Sequence, residues 1–147
     1  VGDDEMQARV AAHRARRPAT WETVEAQADV ATVLVRVARG SVVLIDSLTL
    51  LVSNVLLTHQ DDPEPALDAE VDNLLGAVWM YDLQLIVVTD EVGMGVVPAY
   101  PLGRRYRDLL GRANQRVAAV AAEVYLVVTG IPVELRRLEA GFMRRSE

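Results

Sequence analysis

No cysteine occurs in this chain of 147 residues, and all 15 basic residues are arginine, leaving no lysine. The first absence excludes disulfides, thiolate metal sites and cysteine nucleophiles. The second excludes a complete P-loop within the chain, because that motif sets a lysine on the β- and γ-phosphates, and it excludes a Schiff-base lysine. Long apolar runs are missing too. The longest, such as "VVLI" and "LQLIVV", fall far short of the roughly 20 residues that span a bilayer. The first residues, "VGDDEMQARV", lack the charged-then-apolar pattern of a signal peptide, so the cytoplasm is the expected compartment. Positive charge is in deficit: the net charge is -6 and the pI is near 4.9. Nucleic acid is therefore not an expected partner.

What is present suits one globular domain over 1–147, since 51% of residues are hydrophobic, ample for a core. "DDEMQARVAAHRARR" begins acidic and ends basic, as the helix dipole favours. "ETVEAQADVATVLVRVARG" reads as a second helix closed by Gly40. Three apolar, β-branched segments, Val42–Ile45, Leu85–Thr89 and Val124–Val128, are expected as parallel strands with helices on both faces. "SLTLLVSNVLL", "ALDAEVDNLLGAVWMYD" and "RRYRDLLGRANQRVAAVAAE" carry helical spacing, while "HQDDPEPA" and "GMGVVPAYPLG" read as loops. Alternating strands and helices describe an α/β sheet, whose ligands bind beyond the carboxyl ends of the strands. Three strands are few for such a sheet, so the chain is expected to be incomplete.

Several positions carry possible chemistry, each beside a plainer role. Asp46 ends an apolar strand, where a Walker-B-like carboxylate holds Mg²⁺; it equally suits the N-cap of the next helix. Asp90 and Glu91 precede a Gly-x-Gly turn. They are expected to gather with Asp46 at the carboxyl edge of the sheet, although an ordinary strand-to-loop passage gives the same pattern. Arg105, Arg112 and Arg116 share a stripe of one helix, ordinarily a solvated face. Asn114 and Gln115, on that helix, could reach a ligand or a neighbouring subunit. His13 heads the run "HRARRP", where an imidazole nucleophile beside arginines suits phosphoryl chemistry. A histidine at a helix end is also compatible with the dipole alone. His59 lies in a loop and receives no role.

Taken in order, "DDEMQARVAAHRARRPATWETVE", "LIDSLTLLVSN", "VVTDEVGMGVVP" and "GRRYRDLLGRANQRVAAVAAEVYLVVTGIP" resemble the bifunctional adenosylcobinamide kinase/adenosylcobinamide-phosphate guanylyltransferase family of cobalamin biosynthesis. The resemblance runs from about Asp3 to Pro132. It implies a RecA-like, P-loop NTPase-type, mostly parallel sheet flanked by helices. It implies His13 as the nucleophile that carries GMP, Arg14, Ala15, Arg16 and Arg17 as a GTP-contacting segment, and Glu25 and Asp46 as further nucleotide contacts. Asp46 is the candidate Mg²⁺ ligand. GTP or ATP, adenosylcobinamide and adenosylcobinamide phosphate are the implied substrates, and a homotrimer the implied assembly. The family pattern opens with a strand, a Gly-rich phosphate loop and a helix upstream of "DDEM". That N-terminal strand and P-loop are absent from this sequence, which is expected to be a truncated form. Residues 133–147 are expected as a C-terminal tail beyond the usual family end. A reading of another class is a catalytically inactive module that kept the fold without its phosphate loop and acts in interaction or regulation. An unrelated RecA-like domain is a third.

Overall fold

The apolar run "VVLID" and the run "QLIVV" form the two strands around which the chain is organised. The computed structural model describes residues 3–138. Helix α1 (Asp3–Ala15) and the short α2 (Val30–Leu34) precede β1 (Val42–Asp46). Helices α3 (Leu48–Thr58) and α4 (Pro63–Met80) lead to β2 (Gln84–Val88). Then follow α5 (Pro101–Val120), β3 (Tyr125–Val128) and β4 (Ile131–Glu134). Strands β1 and β2 pair in parallel, from Val42 opposite Gln84 to Asp46 opposite Val88. Parallel neighbours need a crossover, which α3 and α4 supply.

The core lies between these helices and one face of the sheet. Leu48 and Val52 of α3, Leu67, Val71 and Leu74 of α4, and Leu110 of α5 are almost fully buried. Val43, Ile45 and Val87 pack on them from the sheet. Alternation along a strand puts the intervening residues on the opposite face, and there Val42, Leu44, Ile86 and Val88 are exposed. The expectation of helices on both faces is corrected accordingly: among the described residues, that face is open. No described helix is long and apolar enough to cross a membrane.

Two further expectations change. The segment 124–135 is not a third parallel strand but an antiparallel hairpin of β3 with β4, in a sheet of its own. The cause is local. Thr129 and Gly130 both have positive φ, 52° and 80°, the conformation a two-residue hairpin turn requires. Arg136 Nη2 donates to the Ala118 carbonyl and so ties the hairpin to α5. The start of the expected tail is therefore the end of β4, and residues 139–147 lie outside the described residues.

The second helix shrinks to α2, because residues 22–29 run as an irregular segment. Asp29 is left-handed at φ 52°. The Glu70 carboxylate, on α4, accepts from the backbone N–H groups of Asp29 (3.0 Å) and Val30 (2.9 Å). Asn54 Nδ2 donates to the Gln27 carbonyl at 2.9 Å. These distant partners satisfy the backbone outside a helix, so tertiary contacts override local spacing. Glu70 is only 8% exposed, and the two N–H groups compensate its burial.

Candidate functional site

Asp46 ends β1, and the strand direction places it at the carboxyl edge. It does not cap α3. Ser47 does, its Oγ accepting from Leu50 N at 3.3 Å, which leaves the Asp46 carboxylate for other partners. Its Oδ2 lies 3.7 Å from His13 Nδ1 and 3.6 Å from Arg17 Nη2. Arg17 also comes within 3.4 Å of that Nδ1 and donates through Nη1 to Thr23 Oγ1 at 3.0 Å. The last turn of α1 makes this possible. Arg17 N bonds the Arg14 carbonyl and Arg16 N the His13 carbonyl, so the helical path continues past Ala15. Residues four apart then share a face.

The other residues of the run separate from this group. Arg14 pairs with Glu25, a cation and a carboxylate both expected to touch nucleotide. Ala15 closes α1, and Arg16 is exposed. His13 is 58% exposed at the side chain, against 31% for Asp46 and 26% for Arg17. The imidazole thus stands at the surface with one nitrogen turned to a carboxylate and a guanidinium. Its Nε2 has no partner among the described residues. Thr23, which orients Arg17, has no signal in the sequence, since nothing in "PATWET" marks one hydroxyl over another.

Thr89 and Asp90 follow directly from Val88, the register partner of Asp46, so they leave the same sheet edge. Two clamps hold this tip. Thr89 Oγ1 donates to Asn114 Oδ1 at 2.7 Å, and Asn114 Nδ2 returns a bond to the Asp90 carbonyl at 3.1 Å. Asp90 N donates to Thr49 Oγ1 at 3.0 Å. Burial, with the Asp90 carboxylate nearby, pushes the Tyr106 phenol pKa up. Glu91 folds back to accept from Gly93 N at 2.7 Å; a Cβ on Gly93 would stand 2.6 Å from that oxygen. Asp46, Asp90 and Glu91 thus leave the same carboxyl edge of the sheet, and no group of three or more potential metal ligands forms among the described residues. The two strand tips converge, but Glu91's carboxylate is held by its own loop.

The arginines of the α5 stripe are all paired with carboxylates of α4. Arg105 bonds Glu64 at 3.0 Å and the Gln60 carbonyl at 2.8 Å. Arg112 pairs with Asp68, and Arg116 with Asp68 and Asp72. These bonds join α5 to α4. The hydrogen bond from Arg105 holds the Glu64 carboxyl below its usual range. His59 closes α3, its Nδ1 3.3 Å from the Val55 carbonyl.

Residues 1–135 match the CobU family, cobinamide kinase / cobinamide phosphate guanyltransferase. The chain belongs to that family. Over 145 residues it is 39% identical to the bifunctional adenosylcobalamin biosynthesis protein CobU of Escherichia coli (strain K12), covering 91% of this chain and 80% of that protein. Identity to the CobU of Salmonella typhimurium is 40% over the same length and shares. With the bifunctional adenosylcobalamin biosynthesis protein CobP of Pseudomonas aeruginosa it is 42% over 137 residues, 92% of this chain and 78% of that one. The CobU family is one of kinase and guanyltransferase enzymes, so the α/β sheet, with His13, Asp46 and Arg17 at its carboxyl edge, is that of a nucleotide-using transferase.

Proposed function

We propose that the protein carrying this chain is a cobinamide kinase and cobinamide phosphate guanyltransferase that moves GMP from GTP to the corrinoid phosphate through a covalent link to His13. One observation carries the reading. The exposed His13 imidazole has its Nδ1 against Asp46 and Arg17 at a strand tip, with Nε2 directed to no partner among the described residues. Once Arg17, which can only donate to that nitrogen, turns to the phosphate, Asp46 favours the tautomer with the proton on Nδ1, which leaves the lone pair on Nε2. The 3.7 Å contact between Asp46 and Nδ1 tightens when a substrate closes around such a site.

In the first step Nε2 attacks the α-phosphorus of GTP. The N–P bond forms, the bond to the bridging oxygen breaks, and pyrophosphate leaves with that electron pair. In the second step an oxygen of adenosylcobinamide phosphate attacks the same phosphorus. The new O–P bond forms, the N–P pair returns to the imidazole, and adenosylcobinamide-GDP is released. Two displacements replace one encounter between two anions. Arg17 moves its Nη2 from His13 to the phosphate oxygens, where charge grows. Arg14 and Arg16 lie beside it for the triphosphate, and Glu25 keeps Arg14 in place until nucleotide arrives.

Mg²⁺ fits Asp46. Both close contacts of that carboxylate use Oδ2, leaving Oδ1, and Mg²⁺ is commonly held by one or two carboxylates with substrate oxygens and water. When bound there it would neutralise phosphate charge. GTP or ATP serves the kinase step, and a homotrimer is the assembly that sedimentation should report. The test is incubation with α-labelled GTP. Label should remain on the protein in an acid-labile, base-stable linkage. His13→Ala should remove it and leave phosphorylation of the corrinoid intact, while His59→Ala should change neither. Label that survives His13→Ala overturns the assignment, and no label on the parent protein supports an inactive module instead.

A further inference from the structure

Beside the strand tips lies a second recess, which the chemistry at His13 does not use. The Glu91–Gly93 loop forms one wall, and Arg107, Gly111, Arg112 and Gln115 of α5 form the other, around a volume of about 460 Å³. Its polar groups carry both signs. Arg107 and Arg112 donate, while Glu91 and Asp108 accept, and Gln115 offers an amide that does both. A triphosphate is disfavoured beside two carboxylates. A neutral ligand fringed with amides meets a partner for each of its donors and acceptors. The floor is rigid, because Asn114 is locked to Thr89 and Asp90.

We propose that this cleft holds one amide-bearing edge of the corrin ring, which sets the phosphate arm of the corrinoid toward His13. The inference rests on the function proposed above and adds the place of its second substrate. The spacing suits it. Glu91 lies three residues past Val88, at most about 11 Å along the chain, and Val88 pairs with Asp46 on a strand about 4.8 Å away. The volume is too small for a whole corrin, so the ring's edge enters and its face remains outside. Gly111 is what keeps the recess open: nothing lies within 4 Å of where its Cβ would be, and a side chain there projects into the cleft.

Gly111→Leu therefore plugs the cleft at a helix-interior position, where replacing glycine favours the helix. Gly76→Leu is the matched control. It also sits within a helix, with nothing within 4 Å of its Cβ position, and it lies outside the cleft. In the protein that carries this chain, Gly111→Leu should raise the Kd for adenosylcobinamide phosphate, read by calorimetric titration, at least tenfold. GMP labelling of His13 should match the parent, and the melting temperature should be no lower. Gln115→Ala should weaken corrinoid binding several-fold with the same labelling. Gly76→Leu should change neither quantity. Unchanged corrinoid Kd in Gly111→Leu and Gln115→Ala overturns the proposal, as does an equal loss of GMP labelling, which would give the cleft to the nucleotide. Because titration requires no turnover, a protein that never labels His13 fails the function proposed above without deciding the cleft.

Discussion

Two groups of arginines in this chain look alike in one dimension and do opposite things in three. The run Arg14, Arg16, Arg17 follows His13 at the end of α1; the stripe Arg105, Arg112, Arg116 lies along α5. On α5 every guanidinium of the stripe meets carboxylates of α4, Glu64, Asp68 and Asp72. Those charges are neutralised where two helices meet. At α1, by contrast, Arg17 shares one carboxylate, Asp46, with an imidazole, and Arg16 is exposed. Positive charge there exceeds its local counter-charge at an open sheet edge. A cation run becomes a helix clamp or an anion site according to how many carboxylates the fold delivers to it.

The comparison breaks first at Arg17. Arg17→Ala should lower GMP labelling about a hundredfold, in the range for losing a group that stabilises developing charge, with a melting temperature close to the parent's. Arg116→Ala should reverse that pattern, keeping its labelling. If Arg17→Ala unfolds the protein while labelling per folded molecule holds, the two clusters are of one kind.

Leu110→Ala sets the scale for the clamp. This residue of α5 is fully buried at the interface the arginines lace, so the substitution should cost about 2–5 kcal/mol in denaturant unfolding. Arg116→Ala should cost only about 1 kcal/mol, because half-exposed ion pairs contribute modestly even in networks. An arginine loss matching the leucine loss would mean that charge, not apolar packing, joins α4 to α5.

The smallest effect concerns acid. Glu64 has its pKa lowered, chiefly by the hydrogen bond from Arg105. A depressed carboxylate contributes stability that is present above its unfolded value, near 4.5, and lost as pH falls through the folded value. Glu64→Gln should therefore lower the melting temperature slightly near neutrality, with the difference from the parent shrinking as pH falls below 4.5. A difference that grows as pH falls would contradict the pairing.

Much of the fold is legible in the residue pattern alone. The strands at 42 and 84 show themselves as β-branched runs ending in polar tips, and the helices α3, α4 and α5 by their spacing. The hairpin at 125–134 stays hidden because "TG" within an apolar run signals a turn only when both residues take positive φ. The segment 22–29 reads as helix because nothing local shows that Asn54 and Glu70, 27 and 41 positions away, satisfy its backbone. At the site, His13 and Asp46 each carry a local signal, but their meeting does not.

By itself, the sequence determined the α/β class, the absence of lysine and thiol chemistry, and the family, since these depend on residue identity and short-range order. Tertiary structure alone decided which cations stay available. Asp46 reaches His13 across 33 positions of chain, and Asp68 reaches Arg116 across 48. No periodicity encodes such pairings, because they arise only when packing of the apolar faces brings distant helix ends and strand tips together.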